Sequence, residues 1–179
     1  MTANDDLRQL VRTIPDFPRP GIQFRDITTL FGDAWGFGET VRRLAAAARD
    51  SDAQVVAGIE ARGFILGGAI AAALGLGFVP VRKRGKLPYQ TIGRDYELEY
   101  GQDRVEIHVD AIASGARVLL VDDLVATGGT ALAAVELFRS VGVEVAAAMF
   151  VIDLPELGGA ELLRQAGVPV TSLFAFAGH

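Results

Sequence analysis

Arg117-Val118-Leu119-Leu120-Val121-Asp122-Asp123-Leu124-Val125-Ala126-Thr127-Gly128-Gly129-Thr130 runs without a break into Ala131-Leu132-Ala133-Ala134-Val135-Glu136-Leu137-Phe138. Val118 to Val121 are continuously apolar, the pattern of a strand buried on both faces of a parallel sheet. Two carboxylates follow at once. An unpaired buried carboxylate costs several kcal/mol, so Asp122 and Asp123 are expected at the carboxyl end of the strand, facing a ligand. Thr127, Gly128, Gly129 and Thr130 then make a small, hydroxyl-rich loop. Leu132, Val135, Leu137 and Phe138 supply the apolar face of a helix that starts there.

Such a loop suits an anion. Glycines let backbone N–H groups approach phosphate oxygens, threonine hydroxyls add donors, and the helix dipole favours negative charge. The Gly-Lys-Ser/Thr ending of a P-loop is absent, and so is a Gly-x-Gly-x-x-Gly fingerprint. The acidic pair matches vicinal ribose hydroxyls, either as direct acceptors or through a bound Mg²⁺. Hydroxyl partners a few residues ahead of a phosphate loop describe a ribose 5-phosphate.

At 179 residues and 50% hydrophobic content, the chain is expected to be one domain, 1–179, with a substantial core. Its net charge of −5 argues against nucleic acid or an anionic membrane as a partner. With no cysteine, and His108 and His179 as the only histidines, thiolate and His-rich metal sites are excluded. Residues 1–6 carry no secretory pattern, and the Ala-rich run from Leu66 to Leu76 is too short to span a bilayer. A soluble cytoplasmic protein is the expectation. Of 17 basic residues only Lys83 and Lys86 are lysine, and both fall in Arg82-Lys83-Arg84-Gly85-Lys86. Compact ammonium groups kept only there point to an anion site rather than a solvated face.

The remaining chain alternates strands and helices. Leu7, Leu10, Val11 and Ile14 predict a packing helix over Asp5 to Ile14, with Asp5 or Asp6 as its cap. Pro15, Pro18, Pro20 and Gly21 punctuate a loop leading to Gln23-Phe24-Arg25. That ring and guanidinium fit either a stacking platform for a planar base or a packed Phe beside a surface Arg. Asp33 is placed to cap a helix from Ala34 to about Arg49, and Trp35 reads as packing.

Val55 to Ile59 is a second buried strand. It ends in Glu60-Ala61-Arg62-Gly63 before a small-residue helix, again placing donors where an anion could lie. Phe78 to Val81 is a third strand and delivers the basic cluster. Gly85 to Gly101 is polar and long for a loop, which suggests a closing lid, although alternation around Tyr96 allows some strand. Arg104 to Val109 reads as a half-buried strand with Glu106 and His108 outward. A strand over Val143 to Ile152 ending at Asp153, a helix over Gly158 to Ala166 and a strand over Val170 to Phe176 complete the pattern. The expected architecture is an open, mainly parallel α/β sheet flanked by helices, with sites at the carboxyl strand ends.

The stretch from Val118 to Thr130 resembles the 5-phosphoribosyl-1-pyrophosphate (PRPP) motif of the type I phosphoribosyltransferase family: apolar residues, two acids, then Thr-Gly-Gly-Thr. Three further segments resemble its adenine-using branch. They are Pro20-Gly21-Ile22-Gln23-Phe24-Arg25-Asp26-Ile27-Thr28, Gly58-Ile59-Glu60-Ala61-Arg62-Gly63-Phe64 and Leu98-Glu99-Tyr100-Gly101. Two departures are visible: Asp153 stands where that branch usually has Glu, and Gly158-Gly159 where it has Gly-Arg.

The resemblance implies the type I fold with a small N-terminal hood over residues 1–33, and transfer of phosphoribose from PRPP to adenine, giving AMP and pyrophosphate. Ala126, Thr127, Gly128, Gly129 and Thr130 would hold the 5-phosphate. Glu60, Ala61, Arg62, Arg82 and Lys86 would take pyrophosphate, with a cis peptide between Glu60 and Ala61. Gln23, Phe24 and Arg25 would hold adenine. Glu99, Asp122 and Asp123 would be catalytic, Glu99 handling the purine proton; on its own residues, Glu99 reads rather as a surface glutamate on a hairpin. Mg²⁺ would be held mainly by substrate, with Asp122 and Asp123 as possible ligands. A homodimer is implied, with Arg82 and Lys86 near the partner's site. A relative acting on another base, or a PRPP-sensing regulator, are the rival expectations.

Overall fold

The computed structural model describes residues 4–98 and 101–178. Near the N-terminus, β1 (Arg12–Pro15) and β2 (Gln23–Asp26) form a small antiparallel hairpin. Among the described residues the main sheet has seven strands: β3 (Val55–Ile59), β4 (Gly77–Lys83), β5 (Thr91–Leu98), β6 (Gly101–His108), β7 (Arg117–Val125), β8 (Glu144–Asp153) and β9 (Val170–Ala175). Their spatial order is β5-β6-β4-β3-β7-β8-β9. The five from β4 to β9 run parallel, and β5 and β6 form an antiparallel edge.

The helices are α1 (Asp5–Arg8), α2 (Thr28–Gly32), α3 (Ala34–Ala48), α4 (Arg62–Leu74), α5 (Gly129–Ser140) and α6 (Gly159–Gln165). Alternation along β7 shows how they are divided between the two faces. Val118 and Leu120 pack with Val135 and Phe138 of α5 and Leu163 of α6, whereas Leu119 and Val121 pack with Leu44 of α3 and Leu66 and Ile70 of α4. All four β7 residues are fully buried, as a central parallel strand requires. Asp33 caps α3 as expected: its Oδ1 accepts the Gly36 N–H at 2.6 Å.

Several expectations are corrected. The N-terminal helix stops at Arg8, because Ile14 pairs with Phe24 across β1 and β2, and a residue before proline is pushed to extended geometry. Strand β7 does not stop at Val121. It carries the acidic pair within it to Val125, held by pairing of Asp122 with Phe150 and Leu124 with Ile152. The strand that alternation around Tyr96 allowed is present and begins earlier, at Thr91: β5 pairs with β6 from Thr91 opposite His108 to Leu98 opposite Gly101, and Ile92 and Tyr96 pack on the core.

Glu106 does not face outward. It is buried, and its carboxylate accepts the Gly85 N–H at 3.0 Å and Arg104 Nε at 3.1 Å. His108 is half-buried, its Nε2 accepting the Tyr89 N–H at 3.4 Å. Trp35 lies exposed on α3 rather than packed. No helix among the described residues is long and apolar enough to cross a membrane.

Candidate active site

The cleft sits at the carboxyl ends of β3, β4 and β7. It is lined by Ile59, Glu60, Lys83, Asp122 and residues 124–131. Open parallel sheets place ligands here because the strand ends and the following helix N-termini converge. The floor is the turn from β7 into α5. Gly128 lies at φ +82°, a left-handed conformation natural to glycine, and its carbonyl accepts the Leu132 N–H at 2.8 Å. The N–H groups of the first turn of α5 have no intrahelical acceptor and point into the cleft end, with Thr127 exposed beside them.

The two carboxylates differ sharply. Asp123 is buried, and its Oδ2 accepts Arg62 Nε at 2.5 Å. Asp122 lines the cleft and has no such cation. Its Oδ1 accepts only the Asp123 N–H at 2.9 Å in the described network. Burial first, and the neighbouring Asp123 charge second, push the Asp122 carboxyl well above the ordinary Asp range. Burial works against the Arg62 charge, but Asp123 outweighs it and the guanidinium pKa is raised. The close approach of α4 to β7 depends on Gly63, where a Cβ would lie 2.8 Å from the Val121 carbonyl oxygen and 2.9 Å from Asp122 Oδ1.

The second wall is the turn after β3. The Glu60–Ala61 peptide is cis, at the position where the resemblance placed it. Glu60 Oε2 accepts the Lys83 N–H at 2.8 Å and Arg82 Nε at 3.2 Å, and Arg82 Nη1 reaches the Lys86 carbonyl at 3.1 Å. Arg82 also lies 5.8 Å over the Phe64 ring. Lys86 is exposed and outside the cleft lining. The lysine that does line the cleft is Lys83, which donates to Tyr96 Oη and Asp103 Oδ2. Thr130 Oγ1 donates to the same Tyr96 Oη at 3.2 Å, joining the phosphate-type loop to the β5–β6 hairpin.

The sequence marks Lys83 and Lys86 together as an anion site, but the pyrophosphate set drawn from the basic run names Arg82 and Lys86 only, and nothing in it points to Tyr96 or Asp103. The signal was available for Lys83: Val79 and Val81 belong to the core cluster beside α5, so period-two alternation sends Lys83 to that side and Arg82 to the other.

The proposed base-binding residues are not among those that line this cleft. Phe24 meets Phe17 edge-on at 5.2 Å. The Arg25 side chain is occupied: Nη1 donates to Thr13 Oγ1 at 2.6 Å, Nη2 to the Ala177 carbonyl at 2.9 Å, and its guanidinium stacks 4.5 Å from the Phe176 ring. Burial, with Arg8 nearby, lowers its pKa. Gln23 pairs with Pro15 across the hairpin. Asp26, which the sequence reading left without a role, is the lock of this region. Its Oδ1 accepts both the N–H (2.9 Å) and hydroxyl (2.7 Å) of Thr28, and its Oδ2 accepts Arg12. Thr28 and then Arg12 hold the Asp26 carboxyl down at about 2. Its charge also supports the Arg62 guanidinium, an electrostatic link between hood and cleft.

Asp153 carries a buried Oδ1 with no hydrogen-bond partner, and burial raises its pKa against the pull of Arg164. Glu99 lies outside the described residues.

Among the described residues no group of three or more His, Asp or Glu side chains converges on a metal position. The donors fit a magnesium ion held by a substrate and one or two carboxylates, since Asp122 faces the cleft uncommitted to a cation, and they offer no all-protein cage.

Residues 33–162 match the family model described as phosphoribosyl transferase domain. An adenine phosphoribosyltransferase of Nitrobacter hamburgensis is 61% identical over 179 residues, covering all of both chains. One of Sphingopyxis alaskensis is 65% identical over 173 residues, 97% of this chain and 94% of that one. The crystal structure of adenine phosphoribosyltransferase from Thermoanaerobacter pseudethanolicus superposes with a TM-score of 0.92 at 45% identity, covering 96% of this chain and 99% of that one. The Saccharomyces cerevisiae enzyme, complexed with an imino-altritol bisphosphate and adenine, superposes at 0.90 with 36% identity, covering 96% and 98%.

Proposed function

The chain belongs to the adenine phosphoribosyltransferase family, and from that premise we propose how its residues transfer the 5-phosphoribosyl group from PRPP to adenine, giving AMP and pyrophosphate. The observation that carries the assignment is the acidic pair on β7 leading straight into the Gly/Thr turn at the N-terminus of α5. The 5-phosphate sits on Ala126–Thr130, where unpaired N–H groups and the helix dipole favour its charge. Asp122 and Asp123 hold the ribose hydroxyls and balance the positive charge that builds on the sugar as pyrophosphate leaves. An acid with a raised pKa and no cation of its own, Asp122 gains most from a ligand that brings hydroxyl donors.

Pyrophosphate lies toward the Glu60–Ala61–Arg62 turn and Arg82, with charge shared by Lys86. When bound, Mg²⁺ would shield that charge, held by the substrate and by Asp122 or Asp123. Adenine stacks against Phe24 and is read by backbone groups of Gln23 and Arg25. The Arg25 side chain, committed to Thr13 and Ala177, supports a backbone role for that residue. Glu99 handles the purine proton. Holding both substrates in near-attack geometry supplies much of the acceleration. A homodimer working in the cytoplasm, with Arg82 and Lys86 beside the partner's site, completes the reading; exposure of Lys86 outside its own cleft supports it. Sedimentation equilibrium of the active enzyme checks the dimer, and an active monomer would refute it.

The direct test is pyrophosphate release from PRPP and Mg²⁺ with adenine, guanine, hypoxanthine, xanthine or orotate in turn. Release with adenine alone is expected. Release with another base at comparable rate would reassign the base pocket, and release with none would remove the enzymatic reading.

A further inference from the structure

The turn from Gly158 into α6 presses on the back of the phosphate loop, and its tightest point is Gly159. The Gly159 N–H donates to the Ala126 carbonyl at 2.9 Å. A Cβ on Gly159 would lie 2.3 Å from that carbonyl oxygen, 2.6 Å from the Gly128 nitrogen and 2.8 Å from the Thr127 carbonyl carbon. The crowding is mutual, since a Cβ on Gly128 would lie 2.9 Å from Gly159 Cα. Every one of these neighbours is backbone, so no side chain can swing aside to make room. Gly159 itself is buried and at the first position of α6, with Gly158 in the left-handed conformation before it. The adjoining residues share the brace: the Leu154 N–H donates to the Val125 carbonyl at 3.1 Å.

We propose that in this chain, which has Gly159 where the adenine branch usually has Arg, Gly159 is a positioning residue for the 5-phosphate: its bare Cα and its hydrogen bond to Ala126 set the spacing of the Ala126, Thr127 and Gly128 peptides that face the ligand. The proposal rests on reading residues 126–130 as the 5-phosphate site. Its physical content is that a loop recognising an anion through backbone N–H groups has no side-chain freedom to correct its own geometry. The correction is supplied from behind, by an element that touches no substrate. A displacement of these peptides changes N–H direction at the phosphate while leaving the sheet, the Arg62–Asp123 pair and the hood in place.

Ligands that carry the 5-phosphate separate this role from general destabilisation. In Gly159→Ala, the dissociation constants of AMP and of ribose 5-phosphate should rise together by about tenfold to a hundredfold, the scale of a misplacement below an ångström or so. The KM for PRPP should rise with them. Adenine and pyrophosphate, titrated alone, should bind as they do to the wild type. Gly68→Ala, a helical glycine of α4 with nothing within 4 Å, is the matched control and should change none of these.

Two further measurements keep the outcome decisive. Gly129→Asp adds a carboxylate at the first turn of α5, where the helix dipole favours it for folding but where it repels a phosphate. If Gly129→Asp leaves AMP binding intact, the phosphate-site reading fails. If it abolishes AMP binding while Gly159→Ala binds AMP as the wild type does, that reading stands and the Gly159 proposal is overturned. Should Gly159→Ala not fold, hydrogen exchange on the wild type decides: the Gly159 amide should gain protection with AMP or ribose 5-phosphate and not with adenine or pyrophosphate. An amide indifferent to AMP would overturn the proposal as well.

Discussion

The proposed phosphate end and the proposed base end of this enzyme are built from different materials. The phosphate end is backbone: the β7–α5 turn, backed by Gly159, sits on the central strands of the sheet. The base end is a two-stranded hairpin tied down by side chains: Arg12 and Thr28 to Asp26, Arg25 to Ala177, and Asn4 to Leu173. A site made of peptide groups recognises a group common to every substrate and product that carries it. A site hung on side-chain ties can shift or open, which suits the end where one planar base must enter and a nucleotide must leave. Substitutions at the two ends should therefore fail in different ways.

The largest effect short of the acidic pair itself is expected at Arg62. Removing it in Arg62→Ala leaves Asp123 buried without its cation, a loss of about 1–3 kcal/mol for an unsatisfied buried group, and strips charge from the pyrophosphate wall. Urea unfolding should show that loss, and kcat/KM for PRPP should fall about a hundredfold. Stability unchanged from the wild type would mean that Asp123 finds another partner.

At the base end, Asp26→Asn should raise the KM for adenine several-fold and hardly alter AMP-phosphate recognition, reversing the pattern expected of Gly159→Ala. Its stability effect has a definite sign in pH. The folded Asp26 carboxyl lies at about 2, below the 3.8 of an ordinary Asp, so its contribution is fully present above pH 4 and is lost as pH falls toward 2. The variant should be about 1 kcal/mol less stable at neutral pH and should lack that slope. Equal acid sensitivity in both proteins would remove Asp26 as the lock.

A smaller and opposite change in stability is expected from Asp122→Asn. The folded Asp122 carboxyl is raised, so the wild type loses stability as pH climbs from the unfolded value through the folded one. The neutral amide escapes both the burial penalty and the Asp123 repulsion, and the ligand-free variant should be about 1 kcal/mol more stable at pH 7 while losing activity. A destabilised Asp122→Asn would show that the carboxylate is already satisfied without ligand.

The same division explains what could be read from the sequence. β7, the acidic pair and the Gly/Thr turn were legible because a doubly buried strand is a continuous apolar run and the turn chemistry is local. The parallel order and the two-sided helical layers followed from alternation. The extent of β7 past Asp122 was not legible, because it depends on pairing with Phe150 and Ile152 far along the chain. Ile14 and the start of β5 at Thr91 were not legible for the same reason: a helical spacing or a polar run yields to a partner strand. Glu106, Tyr96 and Asp103 gained their roles from Gly85 and Lys83, which lie 13 or more positions away, and no local pattern marks such partners; Asp26 combines a local tie to Thr28 with a distant one to Arg12. Gly159 was noticed only as a departure from a familiar motif; its crowding against Ala126 and Gly128 exists only once α6 is docked.

The account stands or falls on the acidic pair. The Asp122→Asn, Asp123→Asn double variant preserves shape, leaves the turn to α5 untouched and removes both charges proposed to hold the sugar, one of them the partner of Arg62. Pyrophosphate release from PRPP with adenine should fall by at least about a thousandfold in a protein that still folds, as expected when charge stabilisation of a transition state is lost. A folded double variant that turns over within about threefold of the wild type would contradict the ribose assignment, since differences that small lie below the loss of even one such group.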